Sequence, residues 1–431
     1  MPENGHHYDI VLWGATGFTG QLVAEHLAER LAVDLEWAIA GRDPEKLTTV
    51  RENLEEIDPQ LATVDILIGD AFDRESLNTI AEQTSVVCST VGPYAEYGSE
   101  LVAACVDQQA DYCDLSGEIH WIQRMIDEHH DRARDKGVRI VHGCGFDSIP
   151  SDLGTLFIQN HAQDEFGTPC SRVRAYITSP SFELSKMAKA TSGGTMASMK
   201  NLYATRAKDR QIRQTIDNPY SLAPNGERTG PDTGVQLRPA YDSLTDQWTA
   251  PFVMAGINEK IVRRTNAVLG YPWGRDFEYS EVTPTGGGFG GASLALAKSV
   301  GLGAFIGAMS VRPIRNLVDT YVLPDPGEGP SQDTIEAFWF SVRLVGTGTI
   351  PDSGASFRIE GSVAGDRDPG YGSAARMLGE SAICLATGDI ESPFDGGVLT
   401  AASGIGLPLI DRLESSGMTF TIESHADCHD H

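Results

Sequence analysis

The sequence predicts an α/β protein, in which an N-terminal Rossmann-type, doubly wound parallel sheet is followed by a second α+β domain. Three observations predict this fold class. The apolar run Asp9–Trp13 enters a glycine turn that opens an amphipathic stretch. Apolar runs then alternate with helical patterns up to about residue 150, and from about Ser151 the pattern changes to longer strand-like runs.

The glycine turn predicts a phosphate-binding loop. Its sequence is Gly14-Ala-Thr-Gly-Phe-Thr-Gly20, with the spacing G-x-x-G-x-x-G. Glycines let the backbone turn tightly and approach a pyrophosphate, which faces the N–H groups and the positive end of the next helix. A second strand-like run, Glu36–Gly41, follows at the distance expected of a βαβ unit. We therefore expect cofactor contacts from Gly14, Thr16, Gly17, Phe18, Thr19 and Gly20.

The residue after the second strand decides between the two nicotinamide cofactors. Arg42 occupies this position, where a guanidinium can pair with a ribose 2′-phosphate. Asp43 beside it could instead bind a ribose hydroxyl or cap a helix that starts at Pro44. Lys46, one turn further on, supports the phosphate interpretation. The sequence predicts NADP.

Four more apolar runs continue the parallel sheet, namely Asp65–Gly69, Ser85–Gly92, Tyr112–Ser116 and Arg139–Gly143. Ligands of such sheets bind at the carboxyl ends of the strands, so the loops that follow should line the site. Each Ser or Asp in them could equally cap a helix. The expected cofactor contacts here are Asp70, Ser89, Thr90 and Gly92, and the expected catalytic residues are Tyr94, Asp114, Ser116 and Asp147.

In the second half, a helix around Leu153–Asn160 precedes a strand-like run at Arg172–Thr178. Two further runs, Phe338–Val345 and Ser356–Gly361, predict antiparallel strands. The polar, turn-rich stretch 209–250 is expected to be a lid or a long excursion. Thr195 follows a Gly-Gly turn before a helix-like run, and we expect it to be a further catalytic residue that faces these loops from the second domain. Such a turn can bind an anion or carbonyl oxygen, or it can serve close packing.

Composition excludes some classes of protein. Sixty acidic residues against 33 basic ones give a formal charge of −27, which excludes nucleic acid as a partner and suggests a halophile-like acidic surface adapted to high salt. The seven cysteines contain no C-x-x-C pair and no apolar leader precedes the first strand, so we expect a cytoplasmic protein. The histidine-containing tail 425–431 could chelate a metal, but no matching ligands occur elsewhere, and we expect none.

The stretch 286–309 complicates this picture. It is rich in Gly, Ala and Leu, carries Lys298 as its only charge, and is followed by Arg312 and Arg315. Its apolar length approaches that of a membrane span. Its glycines and internal lysine argue against a spanning helix. We expect a buried or lipid-facing hairpin, with peripheral contact at the plasma membrane and a true span as the alternatives.

Nine motifs are distributed along the chain, namely the glycine loop, Ala40–Arg42, Val91–Tyr94, Tyr112–Glu118, Gly145–Asp152, Ser192–Thr195, Pro326–Pro330, Gly370–Gly372 and Gly396–Thr400. Taken together, these motifs resemble those of the saccharopine dehydrogenase-like oxidoreductases, and most closely those of the branch called trans-acting enoyl reductases. The resemblance runs nearly end to end and implies a Rossmann domain over 1–150, to which the segment of about 396–422 returns. It also implies a second domain over 151–395 that would bind substrate and could form a homodimer.

The substrate is left open by this resemblance. Enzymes that bind saccharopine need several Arg or Lys in the cleft, whereas the Gly- and Ala-rich segment near Leu296 suits an acyl chain better. We therefore favour NADP-dependent reduction of an unsaturated acyl or lipid intermediate. The alternatives are a saccharopine-type amine dehydrogenase or imine reductase, and a lipid-associated NADP-binding protein without turnover.

Overall fold

The computed structural model describes residues 6–30, 35–183, 209–232, 234–310 and 329–428. Within these ranges two seven-stranded sheets form the framework. The strands are β1 (Tyr8–Trp13), β2 (Trp37–Gly41), β3 (Asp65–Ile68), β4 (Thr84–Ser89), β5 (Asp111–Asp114), β6 (Arg139–Val141), β7 (Arg172–Thr178), β8 (Ala240–Asp242), β9 (Gln247–Pro251), β10 (Glu278–Gly286), β11 (Phe340–Thr349), β12 (Ser356–Gly365), β13 (Gly397–Leu399) and β14 (Met418–Cys428).

Helices cover the sheets and connect their strands. They are α1 (Phe18–Arg30), α2 (Pro44–Ile57), α3 (Arg74–Glu82), α4 (Tyr94–Tyr97), α5 (Ser99–Gln108), α6 (Ile119–Lys136), α7 (Ile149–Phe166), α8 (Arg210–Asp217), α9 (Ala255–Val268), α10 (Gly288–Ser310), α11 (Gln332–Ala337), α12 (Gly372–Thr387), α13 (Ala401–Gly404) and α14 (Pro408–Ser415).

The first sheet is parallel throughout, in the order β13-β6-β5-β4-β1-β2-β3. Its strands are short apolar runs with fully buried residues such as Ile10, Leu12 and Ile39, as expected of a sheet covered on both faces. The strand order reverses between β1 and β4. The loops after these two strands therefore border a crevice at the carboxyl edge, where doubly wound proteins bind ligands. The predicted fold class is confirmed.

The second sheet is mixed, in the order β14-β12-β11-β7-β10-β9-β8, and only β7 and β10 pair in parallel. The predicted antiparallel pair is present as β11 and β12. Helix α7 lies close against this sheet because Gly154 has no side chain. A Cβ on Gly154 would lie 3.0 Å from both Leu344 Cδ1 and Val363 Cγ2. The described part of the 209–250 stretch includes α8 and the edge hairpin β8–β9, so part of it is sheet.

The C-terminal part of the chain is shared between the two sheets. Strand β13 pairs with β6 in the first sheet, whereas β14 pairs with β12 in the second. Helix α12, expected in the second domain, packs on α1 and on β4. Its buried Glu380 carboxylate accepts from Arg30 Nε at 2.8 Å and from Arg412 Nε at 2.9 Å. Because a buried carboxylate requires such partners, this cluster fixes α12 to the first domain.

The structure corrects the hairpin expected for residues 286–309. This stretch forms one continuous helix of 23 residues, α10, and not a hairpin. This helix lies against β9 and β10. By length and composition it could cross a membrane, with a mean hydropathy of 1.4 and only 11% of its apolar window buried. Among the described helices no other meets that criterion. Its exposure is therefore a feature that needs an explanation.

Candidate active site

The glycine loop after β1 is held against the end of β4. Gly14 has a φ of +93°, and a Cβ there would lie 2.5 Å from Val91 Cγ2. Thr90 Oγ1 donates to the carbonyl of Gly14 at 3.1 Å. A Cβ on Gly20 would lie 2.1 Å from the same carbonyl oxygen. Gly14 and Gly20 are therefore required by the packing of the protein itself.

Gly17 differs from these two glycines. It is exposed, and the nearest atom to a Cβ built on it is the Gly14 carbonyl oxygen at 3.4 Å, an ordinary contact distance. Helix α1 begins one residue later and has no acidic side chain in its first turn. Its N-terminus is therefore a positive end that no acidic side chain of its own first turn neutralises, next to a backbone that leaves room for a pyrophosphate. These residues fit a dinucleotide.

Side chains of the loop anchor it. Phe18 packs edge-on against Tyr371 with ring centroids 5.3 Å apart, and a Cβ on Gly329 would lie 2.4 Å from the Phe18 ring. The carbonyl of Thr16 accepts from Gln21 Nε2 at 3.2 Å. Thr19 is half-buried in the first turn of α1. Phe18 thus ties the loop to the C-terminal part of the chain.

The alternative at Asp43 is decided by its contacts. Its Oδ1 accepts from the backbone N–H groups of Glu45 and Lys46, both at 3.1 Å, so Asp43 caps α2. Arg42 is exposed at the end of β2 and forms no ion pair within the described part of the chain. Asp70, beyond the neighbouring β3, is also exposed, and its Oδ1 accepts from Phe72 N at 2.9 Å. Arg42 is free to pair with a 2′-phosphate.

Tyr94 does not have the environment of a proton donor. Its hydroxyl is buried, donates to the Ser89 carbonyl at 3.1 Å and accepts from Leu115 N at 3.2 Å. Burial, together with the nearby Asp114 carboxylate, raises the pKa of Tyr94 well above its usual value. The hydroxyl therefore joins the end of β4 to the loop after β5, and we revise the catalytic role expected for it. Gly92 lies partly exposed in the turn between β4 and α4.

Asp114, at the end of β5, is occupied on both oxygens. Oδ2 accepts from Tyr112 Oη at 2.9 Å and lies 2.8 Å from His142 Nδ1. Oδ1 accepts from Ser116 N at 2.9 Å and from Gly143 N at 3.2 Å. The side chain is fully buried. Because every partner belongs to the loops after β5 and β6 or their strand ends, Asp114 positions these loops and is not available to a substrate.

Ser116 is likewise part of the framework. It is buried, and its Oγ accepts from Glu118 N at 3.3 Å. Glu118 in turn caps the first turn of α4, with Oε1 accepting from Tyr94 N at 2.8 Å and Oε2 from Ala95 N at 3.1 Å. The expected catalytic group Tyr94, Asp114 and Ser116 is therefore brought together, but as a hydrogen-bonded scaffold.

Asp147 is the exception among the predicted catalytic residues. Its carboxyl forms no hydrogen bond or ion pair with any residue that the structure describes, and its side chain is partly exposed. A Cβ on Gly117 would lie 2.9 Å from Asp147 Oδ2 and 3.0 Å from Ile257 Cδ1. Asp147 therefore lies where the loops after β5 and β6 meet the start of α9 in the second domain. Desolvation raises the pKa of Asp147 to about 7.

An aromatic cluster that the sequence did not indicate lies next to Asp147. Phe146 stacks on Phe182 with centroids 5.7 Å apart and packs edge-on against Phe340 at 4.9 Å. Phe182 also contacts Phe252 at 5.1 Å. These residues are far apart in sequence, so no local pattern could reveal the cluster. Beside it is a cavity of about 130 Å³ whose lining includes Phe182, Lys298 and Trp339.

Thr195 lies outside the described residues, so its expected position opposite these loops stays a prediction. The described side of the second domain contributes Ile257 and the aromatic cluster. Within the described ranges, no group of three His, Cys, Asp or Glu side chains is arranged to hold a metal ion.

Comparisons with known proteins agree with this geometry. Residues 10–141 match the saccharopine dehydrogenase NADP-binding domain. A putative trans-acting enoyl reductase of Mycobacterium tuberculosis is 36% identical over 438 residues, which cover 97% of this chain and 98% of the relative. A trans-acting enoyl reductase of Mycobacterium ulcerans is 34% identical over 426 residues, with the same coverage of both chains.

A solved structure extends the likeness to the whole fold. Apo saccharopine dehydrogenase (L-Glu forming) from Saccharomyces cerevisiae has a TM-score of 0.50 and 12% identity, and the match covers 97% of this chain and 99% of that one. At this identity the likeness concerns the fold alone. The fold and the nucleotide loop define an NADP-dependent oxidoreductase of the saccharopine dehydrogenase-like type. Within that type, the chain belongs to the trans-acting enoyl reductase family.

Proposed function

We propose that this enzyme reduces the carbon–carbon double bond next to the carbonyl of an unsaturated acyl or lipid intermediate, and that Asp147 delivers the proton. The observation that carries the proposal is the carboxyl of Asp147, which has no partner among the described residues and a pKa of about 7. The names of the mycobacterial relatives support the reaction type.

The chemistry divides between the cofactor and this side chain. Bound NADPH supplies two electrons and one hydrogen to the β-carbon. The α-carbon then needs a proton, which the neutral Asp147 carboxyl can donate from its O–H. Because desolvation raises the pKa of Asp147 to about 7, its carboxyl can hold this proton near neutral pH. Partial exposure lets water return a proton to Asp147 after each turnover.

The other loop residues keep Asp147 in place. Asp114 joins the end of β5 to Gly143 on the following loop, and Glu118 fixes the start of α4. The aromatic cluster at Phe146 reduces hydration of the neighbouring carboxyl, which is consistent with the cause of its raised pKa. These residues are therefore positioning residues, and only Asp147 is proposed to touch the reacting atoms.

The surroundings favour an apolar substrate. Phe182 and Trp339 line the cavity beside the aromatic cluster and provide aromatic surface for an acyl chain. Buried arginines that could bind a dicarboxylate have other partners. Arg263 pairs with Asp232 at 2.7 Å and Glu259 at 3.0 Å, and Arg264 donates to the carbonyls of Leu222 and Val398. This arrangement supports the acyl interpretation over the amino-acid one.

The direct test follows NADPH oxidation with an enoyl thioester, with 2-oxoglutarate plus lysine or its semialdehyde, and with the saturated thioester as a control. We expect turnover only with the enoyl thioester. Activity confined to the amino-acid mixture would replace the proposal with an amine dehydrogenase. NADPH binding without turnover of either mixture would support the lipid-associated protein without catalysis.

We further propose a cytoplasmic location in cells with high internal salt. The six described cysteines are buried free thiols, which suits a reducing compartment, and the −27 charge suits a salt-screened surface. Thermal melts from dilute buffer to molar KCl should show a rising midpoint, and a flat or falling midpoint would contradict the salt adaptation. Two further proposals, peripheral membrane contact through 286–309 and formation of a homodimer, both use the exposed face of α10.

A further inference from the structure

Helix α10 presents an uncharged face to solvent. Phe289 is 90% exposed, Leu296 56% and Val300 62%. The one charged residue of the helix, Lys298, is turned inwards, where it is half-buried and lines the cavity that also contains Glu183. Desolvation lowers the pKa of Lys298. A soluble helix normally has the opposite arrangement, with charges outside and apolar residues inside, so this face is suited to a partner.

Six of the exposed positions of α10 follow a symmetric spacing, while 288, 290, 294, 297 and 304 are exposed outside this set. Residues 289, 293, 296, 300, 303 and 307 are all exposed and are separated by 4, 3, 4, 3 and 4 positions. This 4-3 spacing places them on one stripe of the helix, as in a helix that packs along another helix. The set is also symmetric about residue 298. If two copies of α10 run antiparallel about that point, position 289 faces 307, 293 faces 303, and 296 faces 300.

The side chains at these positions are complementary in size. Phe289 would face Gly307, Ser293 would face Gly303, and Leu296 would face Val300. Two large residues, Phe289 and Leu296, lie in the N-terminal half of the stripe, and the two glycines form a notch in the C-terminal half. A two-fold axis therefore places the bulky end of each copy against the notch of the other, which is the self-complementarity that an isologous dimer requires.

Gly303 and Gly307 have no packing explanation among the residues that the structure describes. A Cβ on Gly303 or Gly307 would meet no atom within 4 Å, and neither residue has a positive φ. Glycine inside a helix costs about 1 kcal/mol relative to alanine. A bilayer offers no reason to omit the side chain at both positions, whereas a second helix that approaches closely does. The glycines therefore favour a helix as the partner over a lipid surface.

We propose that two copies of this chain pair through α10, antiparallel, about a two-fold axis near residue 298. The helix of 23 residues is about 35 Å long, which gives a contact of useful length. Leu294 and Trp339, both nearly half exposed, are large apolar residues available to extend the contact towards the roughly 1,000 Å² that a specific interface needs. Because each chain carries a charge of −27, association should strengthen as salt screens the repulsion.

The first test is sedimentation velocity of the full chain in molar KCl. We expect a species of twice the 46.4 kDa chain mass. Gly303→Leu and Gly307→Leu fill the notch and should weaken the dimer by at least about tenfold. Their melting temperatures should not fall below that of the parent, because the added atoms meet open space and leucine favours a helix more than glycine does. Phe72→Ser removes an exposed aromatic side chain of the first domain and is the control that should leave the dimer unchanged.

The second test examines the register by disulfide cross-linking. An oxidised mixture of Ser293→Cys and Gly303→Cys chains should give a covalent dimer, because position 293 of one copy faces position 303 of the other. Either variant alone should give no covalent dimer, because its two new cysteines lie far apart. The proposal is overturned by a monomer at every concentration and salt level. It is also overturned by cross-links within a single variant, or by a monomer that floats with phosphatidylcholine vesicles, which would identify a lipid surface as the partner.

Discussion

Two loops at the same edge of the parallel sheet contain an aspartate, and these aspartates have opposite surroundings. Asp114, after β5, is buried and accepts from two backbone N–H groups, a phenol and an imidazole. Asp147, after β6, accepts from no described residue and has a pKa of about 7. The same residue type at neighbouring strand ends thus serves the scaffold in one loop and is left available for chemistry in the other.

The difference arises from the composition of the two loops. Ser116 and Gly143 supply the N–H groups that close around Asp114. Asp147 is preceded by Phe146, which belongs to the aromatic cluster, and it faces Gly117, which has no polar side chain. Polar loops therefore satisfy the Asp114 carboxylate, whereas an apolar border leaves the Asp147 carboxyl desolvated and without a partner among the described residues.

The largest expected effect is on turnover. Asp147→Asn removes the proposed proton donor with little change of shape and should lower kcat by about 10²–10⁴, with NADPH affinity unchanged. Single-turnover NADPH oxidation and a fluorescence titration measure the two quantities. Ser116→Ala is the matched control from the other loop and should change kcat by less than about tenfold. If Ser116→Ala lowered kcat more than Asp147→Asn, the roles of the two loops would be reversed.

The next effect is on stability. Asp114→Asn should lower the free energy of unfolding by about 3 kcal/mol or more, because four buried donors lose their anionic acceptor and the new amide faces donors. Urea unfolding in molar KCl measures this change. Asp43→Asn alters a surface helix cap that Asn serves equally well, so it should have almost no effect. Equal stabilities of the two variants would contradict the structural role of Asp114.

A third contrast lies at the end of β2, where the cofactor is expected to bind. Asp43 caps α2, whereas Arg42 forms no ion pair with the described residues. Loss of a charge-assisted contact of about 1.5–3 kcal/mol means that Arg42→Ala should weaken NADPH binding tenfold or more. Affinity for NADH, which lacks the 2′-phosphate, should hardly change. Titrations of the variant with both cofactors compare the two losses, and an equal loss would remove Arg42 from the phosphate site.

The smallest effect is a gain in stability. The folded protein holds the proton of Asp147 up to about pH 7, whereas the unfolded chain releases it near pH 4. The ionised form is therefore disfavoured by folding, and this group destabilises the protein increasingly from pH 4 to pH 7. Asp147→Asn should raise Tm by a few degrees at pH 8 and by less at pH 5. A lower Tm of the variant at pH 8 would contradict an unpaired carboxyl.

Much of the first domain could be predicted from sequence because its signals are local. The turn at Gly14, the strand Asp65–Ile68 and the cap at Asp43 depend on neighbouring residues, and all three are present in the structure. The antiparallel pair β11–β12 is local in the same sense. The exposed helix α10 was predicted wrongly because its glycines indicate a turn when a single chain is considered.

The site was predictable only as a set of loops. The strand ends indicate which loops border the cleft, but hydrogen-bond partners decide which aspartate is free, and these come from distant residues. Asp114 lies close to His142, 28 positions away, and Asp147 approaches Ile257 of the second domain. Likewise, Glu380 of α12 accepts hydrogen bonds from Arg30 and Arg412. These contacts place α12 on the first domain, and no local sequence pattern indicates them.

The central claim is that Asp147 donates the proton, and the pH dependence of kcat/KM with an enoyl thioester tests it most directly. A neutral carboxyl is required, so kcat/KM should be constant below about pH 7 and fall tenfold per unit above it. Glu281→Gln is the matched control, because the buried Glu281 also has a pKa of about 7 but is bound by Asn258 and Tyr279. That variant should keep the profile, and Asp147→Asn should abolish it. A profile that survives Asp147→Asn would contradict the account.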